Sequence, residues 1–289
     1  MNAQNWKSLG KFVSINNNKI FVIDSGKSRE TIVILHGYPT LTYDYHTVIP
    51  ELAKDYRVII HDHPGFGFSD SPDSFEYSLI EQADVALKLW SILGLKEVTI
   101  LAHDHGNYVA KEILARKNND LISIKIKKMI LCCSSKGLER LEISKINSLL
   151  NDKKIGEYIY SITNKGFQKV KSILSNEKYD IDALHDRYHN DNEAKQVQIT
   201  SNFIKDRYTY WHRWTDALKE SEVPVKIFWQ KSDSASVEEI ALVLASDRVN
   251  KNIEWIENKG YFSIEETPRR WLHMVFDINN QKSRVAAFL

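Results

Sequence analysis

Five short apolar runs, at residues 31–35, 57–61, 98–101, 128–133 and 225–229, limit this 289-residue chain more than any other feature. Each is too short for a buried helix and is rich in Val and Ile. Longer stretches with helical spacing separate them. Strands that alternate with helices in this way predict a mostly parallel sheet with crossover helices packed on its faces. Upstream, residues 11–24 read as two strands joined by a turn at Asn16-Asn17-Asn18. Residues 252–256 read as the last strand. The strand-like texture stops at about Ser135 and returns at Val223-Pro224. Amphipathic spacing dominates the interval, at 138–150, 155–162, 167–174, 181–188 and 197–218. The expected organisation is a core of residues 1–135 and 223–289 with a helical cap, residues 136–222, inserted between the sixth and seventh strands.

Composition excludes several classes of partner. Net charge is +1 and the charges are interspersed, so a nucleic-acid or anionic membrane surface is not expected. No run approaches the roughly 20 apolar residues of a membrane helix, and the N-terminus lacks an apolar signal core. Cys132 and Cys133 are adjacent on a strand and point to opposite faces, so they do not readily pair. Reduced core cysteines fit a cytoplasmic setting.

The third run leads directly into Ala102-His103-Asp104-His105-Gly106. Small residues two before and two after a central residue let a strand and helix pack closely around a strained turn. That turn lifts the central side chain out as a nucleophile. An aspartate there attacks through oxygen and forms a covalent ester. The competing reading is an ordinary buried or helix-capping aspartate at a strand–helix junction. His103 should point away from such a site, and His61 and His63 flank what reads as a structural Asp62.

With its neighbours, this motif makes a set. His36-Gly37-Tyr38-Pro39-Thr40 follows the first run, Asp62 to Gly65-Phe66-Gly67-Phe68-Ser69-Asp70 follows the second, and Asp233 follows the fifth. The set resembles the aspartate-nucleophile branch of the α/β-hydrolase superfamily, which includes epoxide hydrolases and haloalkane dehalogenases. The HGYPT loop, GFGFSD, HDHG and the Arg213-Trp214 run look most like the mesoderm-specific-transcript-like group. The resemblance implies an α/β-hydrolase fold: a mostly parallel eight-stranded sheet flanked by helices, with a helical cap that closes over the nucleophile.

It also implies roles. Asp104 would be the nucleophile, with the backbone N–H groups of Tyr38 and His105 as its oxyanion hole and Asp233 as the acid that orients a histidine. The family's G-His-F-x-x-x-E-x-P signature falls on Gly260-Tyr261-Phe262 to Glu266-Thr267-Pro268, so Tyr261 stands at the histidine position. An imidazole with a pKa of about 6.5 is mostly free base at neutral pH, whereas a phenol near 10 is ionised to about one part in a thousand. The water-activating step is therefore expected to be impaired or altered, while attack by Asp104 needs no such base. His105 could activate water from another direction, or Tyr261 could donate a proton.

Dehalogenases of this branch usually carry Asn at the position of Tyr38 and Trp at that of His105. Epoxide hydrolases carry an aromatic at Tyr38 and use cap tyrosines to protonate the opening oxygen, for which Tyr208 and Tyr210 are candidates. His36 reads as a structural hydrogen-bonder with a possible place in the substrate pocket. The expected activity is hydrolysis of a small, largely apolar substrate of the epoxide type, without cofactor or metal, by a monomer or homodimer. Three alternatives stand beside it: a non-catalytic ligand-binding protein on the same fold, haloalkane dehalogenase-like chemistry, and a non-hydrolytic isomerase or lyase.

Overall fold

The computed structural model of the protein describes residues 3–26, 28, 30–38, 40–133, 193–230, 253–256 and 272. A helix α1 (Ala3–Leu9) leads into the strands β1 (Lys11–Ile15), β2 (Asn18–Asp24) and β3 (Thr31–Leu35). A 3-10 turn over Thr42–Tyr45 and a short helix α2 (Ile49–Leu52) precede β4 (Arg57–His61). Then follow α3 (Leu79–Ile92), β5 (Glu97–His103), α4 (His105–Asn118) and β6 (Lys125–Cys133). A long helix α5 (Glu193–Glu220) leads to β7 (Val225–Gln230) and β8 (Ile253–Ile256).

The eight strands form one sheet in the order β1-β2-β4-β3-β5-β6-β7-β8. The pairs β1/β2 and β2/β4 are antiparallel, and every pair from β4/β3 to β7/β8 is parallel. This is the α/β-hydrolase fold expected from the sequence. The hairpin turn also lies where the asparagines place it: Asn16 and Asn17 both have positive φ, 50° and 66°. Asparagine tolerates that region better than most residues.

Period-two alternation sorts the strand side chains into two cores. On β3, Val33 and Leu35 face one cluster, whereas Ile32 and Ile34 face the other. On β6, Met129 and Leu131 go with the first pair, Ile130 and Cys132 with the second. Cys132 is buried in that second cluster. Helices α3, α4 and α5 cover the first face, and α1 closes part of the second through Trp6. The Trp6 indole N–H donates to the Thr42 hydroxyl at 3.1 Å. Helix α1 was not expected, because seven residues carry too little periodicity to stand out and Trp6 alone anchors it.

Helix α5 is fastened to the core along its length. The Leu79 N–H, at the first turn of α3, donates to Asp206 at 2.7 Å, and the Asn118 amide donates to the Ala217 carbonyl at 2.9 Å. Between these, buried Glu112 of α4 accepts from Arg213 at 2.9 and 3.2 Å, from the Trp214 indole at 2.9 Å and from Arg116 at 2.8 Å. Those donors hold its carboxyl below the usual range, against the opposing effect of burial, which is the largest single influence. Removing the carboxylate strands three donors, although Arg213 is 39% exposed and water recovers part of the loss. Glu112→Ala is expected to cost about 2–3 kcal/mol in urea unfolding. A change below about 0.5 kcal/mol would mean that the Glu112 cluster does not help to hold α5.

Candidate active site

Strand β5 ends at His103 and helix α4 starts at His105, which leaves Asp104 to make the whole turn. Its backbone sits at φ 46°, ψ −111°, a conformation that non-glycine residues rarely adopt. Such strain costs on the order of 1–3 kcal/mol and survives only where surrounding structure enforces it. The enforcement is visible. The Asp104 N–H donates to the Cys132 carbonyl at 3.2 Å, its carbonyl accepts from the Asn107 N–H at 2.9 Å, and the Asn107 amide donates to the same Cys132 carbonyl at 2.7 Å.

The glycines explain the tightness of the turn. A Cβ on Gly106 would lie 2.2 Å from the Leu35 carbonyl oxygen, so α4 could not approach β3 with any larger residue. A Cβ on Gly37 would lie 3.0 Å from the Asp104 Cβ and 3.1 Å from the His103 ring. The small-x-Asp-x-Gly pattern is thus a packing requirement between the elbow and the loop after β3.

Asp104 precedes a helix, yet its side chain makes no capping hydrogen bond. The capping reading fails on that point. Instead its carboxylate accepts from the Tyr38 N–H at 3.2 Å. His105 is the first residue of α4, where backbone N–H groups have no carbonyl within the helix to bond and carry the positive end of its dipole. Of the two backbone donors expected to form the oxyanion hole, the Tyr38 N–H is the one that meets the carboxylate.

A layer of rings packs against Tyr38 and His105. Phe66 stands 5.3 Å from His36, 6.0 Å from Tyr38 and 5.6 Å from His105. Helix α5 adds Phe203, 5.2 Å from the His105 ring, and Ile199, which packs with Phe66 and Tyr77. His36 is fully buried. One of its ring nitrogens accepts from the His63 N–H at 3.0 Å, and the other lies 2.9 Å from the Gly37 carbonyl. That pairing fixes its proton on Nδ1 and gives it the structural role. Asp62 accepts from the N–H groups of Thr42 and Phe68 at 2.7 and 2.9 Å, which ties the loop after β3 to the Gly65–Gly67 turn.

Tyr210 packs against Trp214, with ring centroids 5.8 Å apart, as part of the core beneath α5. Tyr208 lies on the same helix, and its side chain is outside the described residues, as are Asp233 and Tyr261. Sequence reasoning had passed over Phe66, Ile199 and Phe203 as wall residues. Phe66 was visible inside GFGFSD, but an aromatic on an amphipathic helix such as Phe203 carries no mark that separates lining from packing.

Three buried histidines, His36, His61 and His105, are uncharged at neutral pH. Burial pushes His36 down to about 4, and it pushes His61 and His105 to about 3, with the neighbouring imidazoles adding to the effect. In the unfolded chain the same groups take up protons near 6.5. The native state binds fewer protons below that pH, so stability is complete above about pH 7 and is lost as pH falls from 6.5 toward 4. Asp62, raised by burial to about 7, works in the opposite direction over that whole range. Three depressed histidines outweigh one raised acid, and a net loss of several kcal/mol is expected by pH 4. Urea midpoints measured from pH 8 to 4 test this, and a flat profile would contradict it.

A surface cleft of about 280 Å³, lined by residues including Leu87, Trp90, Leu95, Leu121 and Ile124, lies at the other end of the sheet, where β5 and β6 begin. It is separate from Asp104. Among the described residues, no three His, Cys, Asp or Glu side chains are placed to hold a metal ion. Among them, too, no helix is long and apolar enough to cross a membrane.

With this geometry in place, comparison with known proteins defines the class. The model of the alpha/beta hydrolase fold family matches residues 30–266, and the chain belongs to that family. The mesoderm-specific transcript protein of Mus musculus is 31% identical over 247 residues, covering 79% of this chain and 72% of its own length. Among solved structures, epoxide hydrolase VrEH1 from Vigna radiata aligns with a TM-score of 0.67 at 19% identity, over 93% of this chain and 97% of that one. A loop variant of haloalkane dehalogenase DbeA from Bradyrhizobium elkanii aligns with a TM-score of 0.67 at 15% identity, over 94% and 99%. At these identities the structural likeness concerns the fold.

Proposed function

We propose that the protein is a hydrolase-fold enzyme in which Asp104 attacks a small, largely apolar substrate of the epoxide type and forms a covalent ester. The observation that carries this reading is the strained elbow at Asp104, whose carboxylate is held by the Tyr38 N–H instead of capping α4. Strain of that kind has no structural use in an ordinary strand–helix junction. The Tyr38 and His105 N–H groups steady the carboxylate before attack and the oxyanion when the ester is cleaved. In this reading a cap within residues 136–222, most of which lie outside the described residues, shields the chemistry from bulk water. The elbow and the backbone donors support this assignment, and the epoxide hydrolase and dehalogenase among the structural neighbours share its fold.

In this reading Asp233 and Tyr261 stand where the family places its acid and its histidine. The first half-reaction proceeds, and the second is slowed because a phenol is a poor base at neutral pH. Dehalogenation is the weaker version, since Tyr38 and His105 replace the Asn and Trp that usually hold a halide. The protein acts without cofactor or metal, in the cytoplasm, as a monomer or homodimer, with no nucleic-acid or membrane partner. Product analysis under multiple turnover tests the reading. A burst of one equivalent means ester trapping, and sustained release of diol means a working second step. Ligand-induced stabilisation without any product would replace the proposal with a binding role. Rearranged product would point to an isomerase or lyase.

A further inference from the structure

One concentration of buried polar atoms is not used by anything above: the ring nitrogens of His63 and His105. Both side chains are fully enclosed, and among the described residues neither nitrogen of either ring has a hydrogen-bond partner. The His36 backbone lies near the His63 ring without meeting hydrogen-bond geometry. The two rings stand 5.6 Å apart between centroids, at an angle of 60°. Phe66 borders both, at 6.1 and 5.6 Å, and Phe203 closes the far side of His105. His36 and His61 pack on His63 as well, at 4.3 and 4.9 Å, so the pair ends a buried run of imidazoles that Phe66 and Phe203 border, and His105 immediately follows the residue at the elbow.

An uncharged imidazole carries one N–H donor and one bare nitrogen that accepts. Buried polar atoms are nearly always satisfied, by protein, water or ligand. A group lying between the rings can therefore accept from one and donate to the other. A hydroxyl oxygen does both. A halide or an ether oxygen only accepts, and an alkyl chain does neither.

We propose that His63 and His105 form a hydroxyl-binding subsite beside Asp104, filled by water in the free protein and by the O–H group of an alcohol when one binds. This deepens the reading of Asp104 as a nucleophile toward small apolar substrates, and rests on it, by adding one oxygen function that the pocket selects. The depressed basicity of His105 keeps that ring uncharged, as donor and acceptor at once, across the neutral range.

The test uses Asp104→Asn protein, in which no ester can form, with 1-butanol and 1-chlorobutane as probes of similar length. The ratio of their affinities is expected to move toward the chloride by about tenfold when His105→Phe or His63→Phe is added, the equivalent of one or two lost hydrogen bonds. Long-range ¹H–¹⁵N spectra of the histidine rings give a readout that needs no further substitution. Each ring should hold one tautomer, and the His63 and His105 signals should shift with butanol and not with chlorobutane. A crystal structure with an oxygen within about 3.2 Å of both rings and no response to butanol assigns the subsite to water alone, which overturns the alcohol half of the proposal. Rings with no such oxygen, together with an unchanged affinity ratio, overturn it entirely. Failure of wild-type protein to form an ester would sink the nucleophile reading and leave this result standing.

Discussion

Asp104→Asn is expected to abolish covalent capture of substrate and to lower any hydrolysis by about 10⁴- to 10⁶-fold, the range seen when a nucleophile is removed from a coupled site. The size follows from the chemistry, because an amide oxygen does not displace a carbon–oxygen bond and form a stable ester. Substitution by asparagine isolates that effect from folding. Asparagine is nearly the same size, tolerates positive φ, and still accepts from the Tyr38 N–H that now meets the carboxylate at 3.2 Å. The thermal transition should stay within a few degrees of wild type. Loss of activity accompanied by loss of fold would instead mean that the carboxylate's role at the elbow is structural.

Tyr261→His is expected to act in the opposite direction. A positioned base is worth about 10²–10⁴ in rate, and imidazole supplies one where a phenol near pKa 10 does not. If Asp233 is placed to orient it, ester hydrolysis should become sustained and gain that factor, while the rate of ester formation stays unchanged. The split between the two half-reactions is the informative readout, since a general effect on packing would alter both. A variant that forms the ester at the wild-type rate and still fails to release it would mean that the surroundings of residue 261 have also moved away from hydrolysis.

Much of this architecture was legible because it is written in local patterns. Val and Ile runs of strand length, asparagines at a two-residue turn and the glycine two residues after Asp104 each answer to one steric demand, and each lies where it was expected. The part that was not legible depends on contacts distant in sequence. Glu112 reads as one more helical charge until Arg213 and Trp214 meet it from α5, about a hundred residues later. His63 and His105 look like neighbours of functional residues, and only the packed structure brings their rings together behind Phe66. Tyr210, one of two tyrosines considered as proton donors, packs at a tilt against Trp214, a contact that no spacing in an amphipathic helix announces.

Intact-mass analysis of wild-type protein after exposure to a panel of terminal epoxides and alkyl halides, followed by peptide mapping, reaches the centre of the account most directly. One adduct per chain, on the peptide that contains residue 104 and absent from the asparagine variant, is the expected outcome. A modified cysteine or histidine in its place, or an unmodified chain that nonetheless turns substrate over, would contradict it.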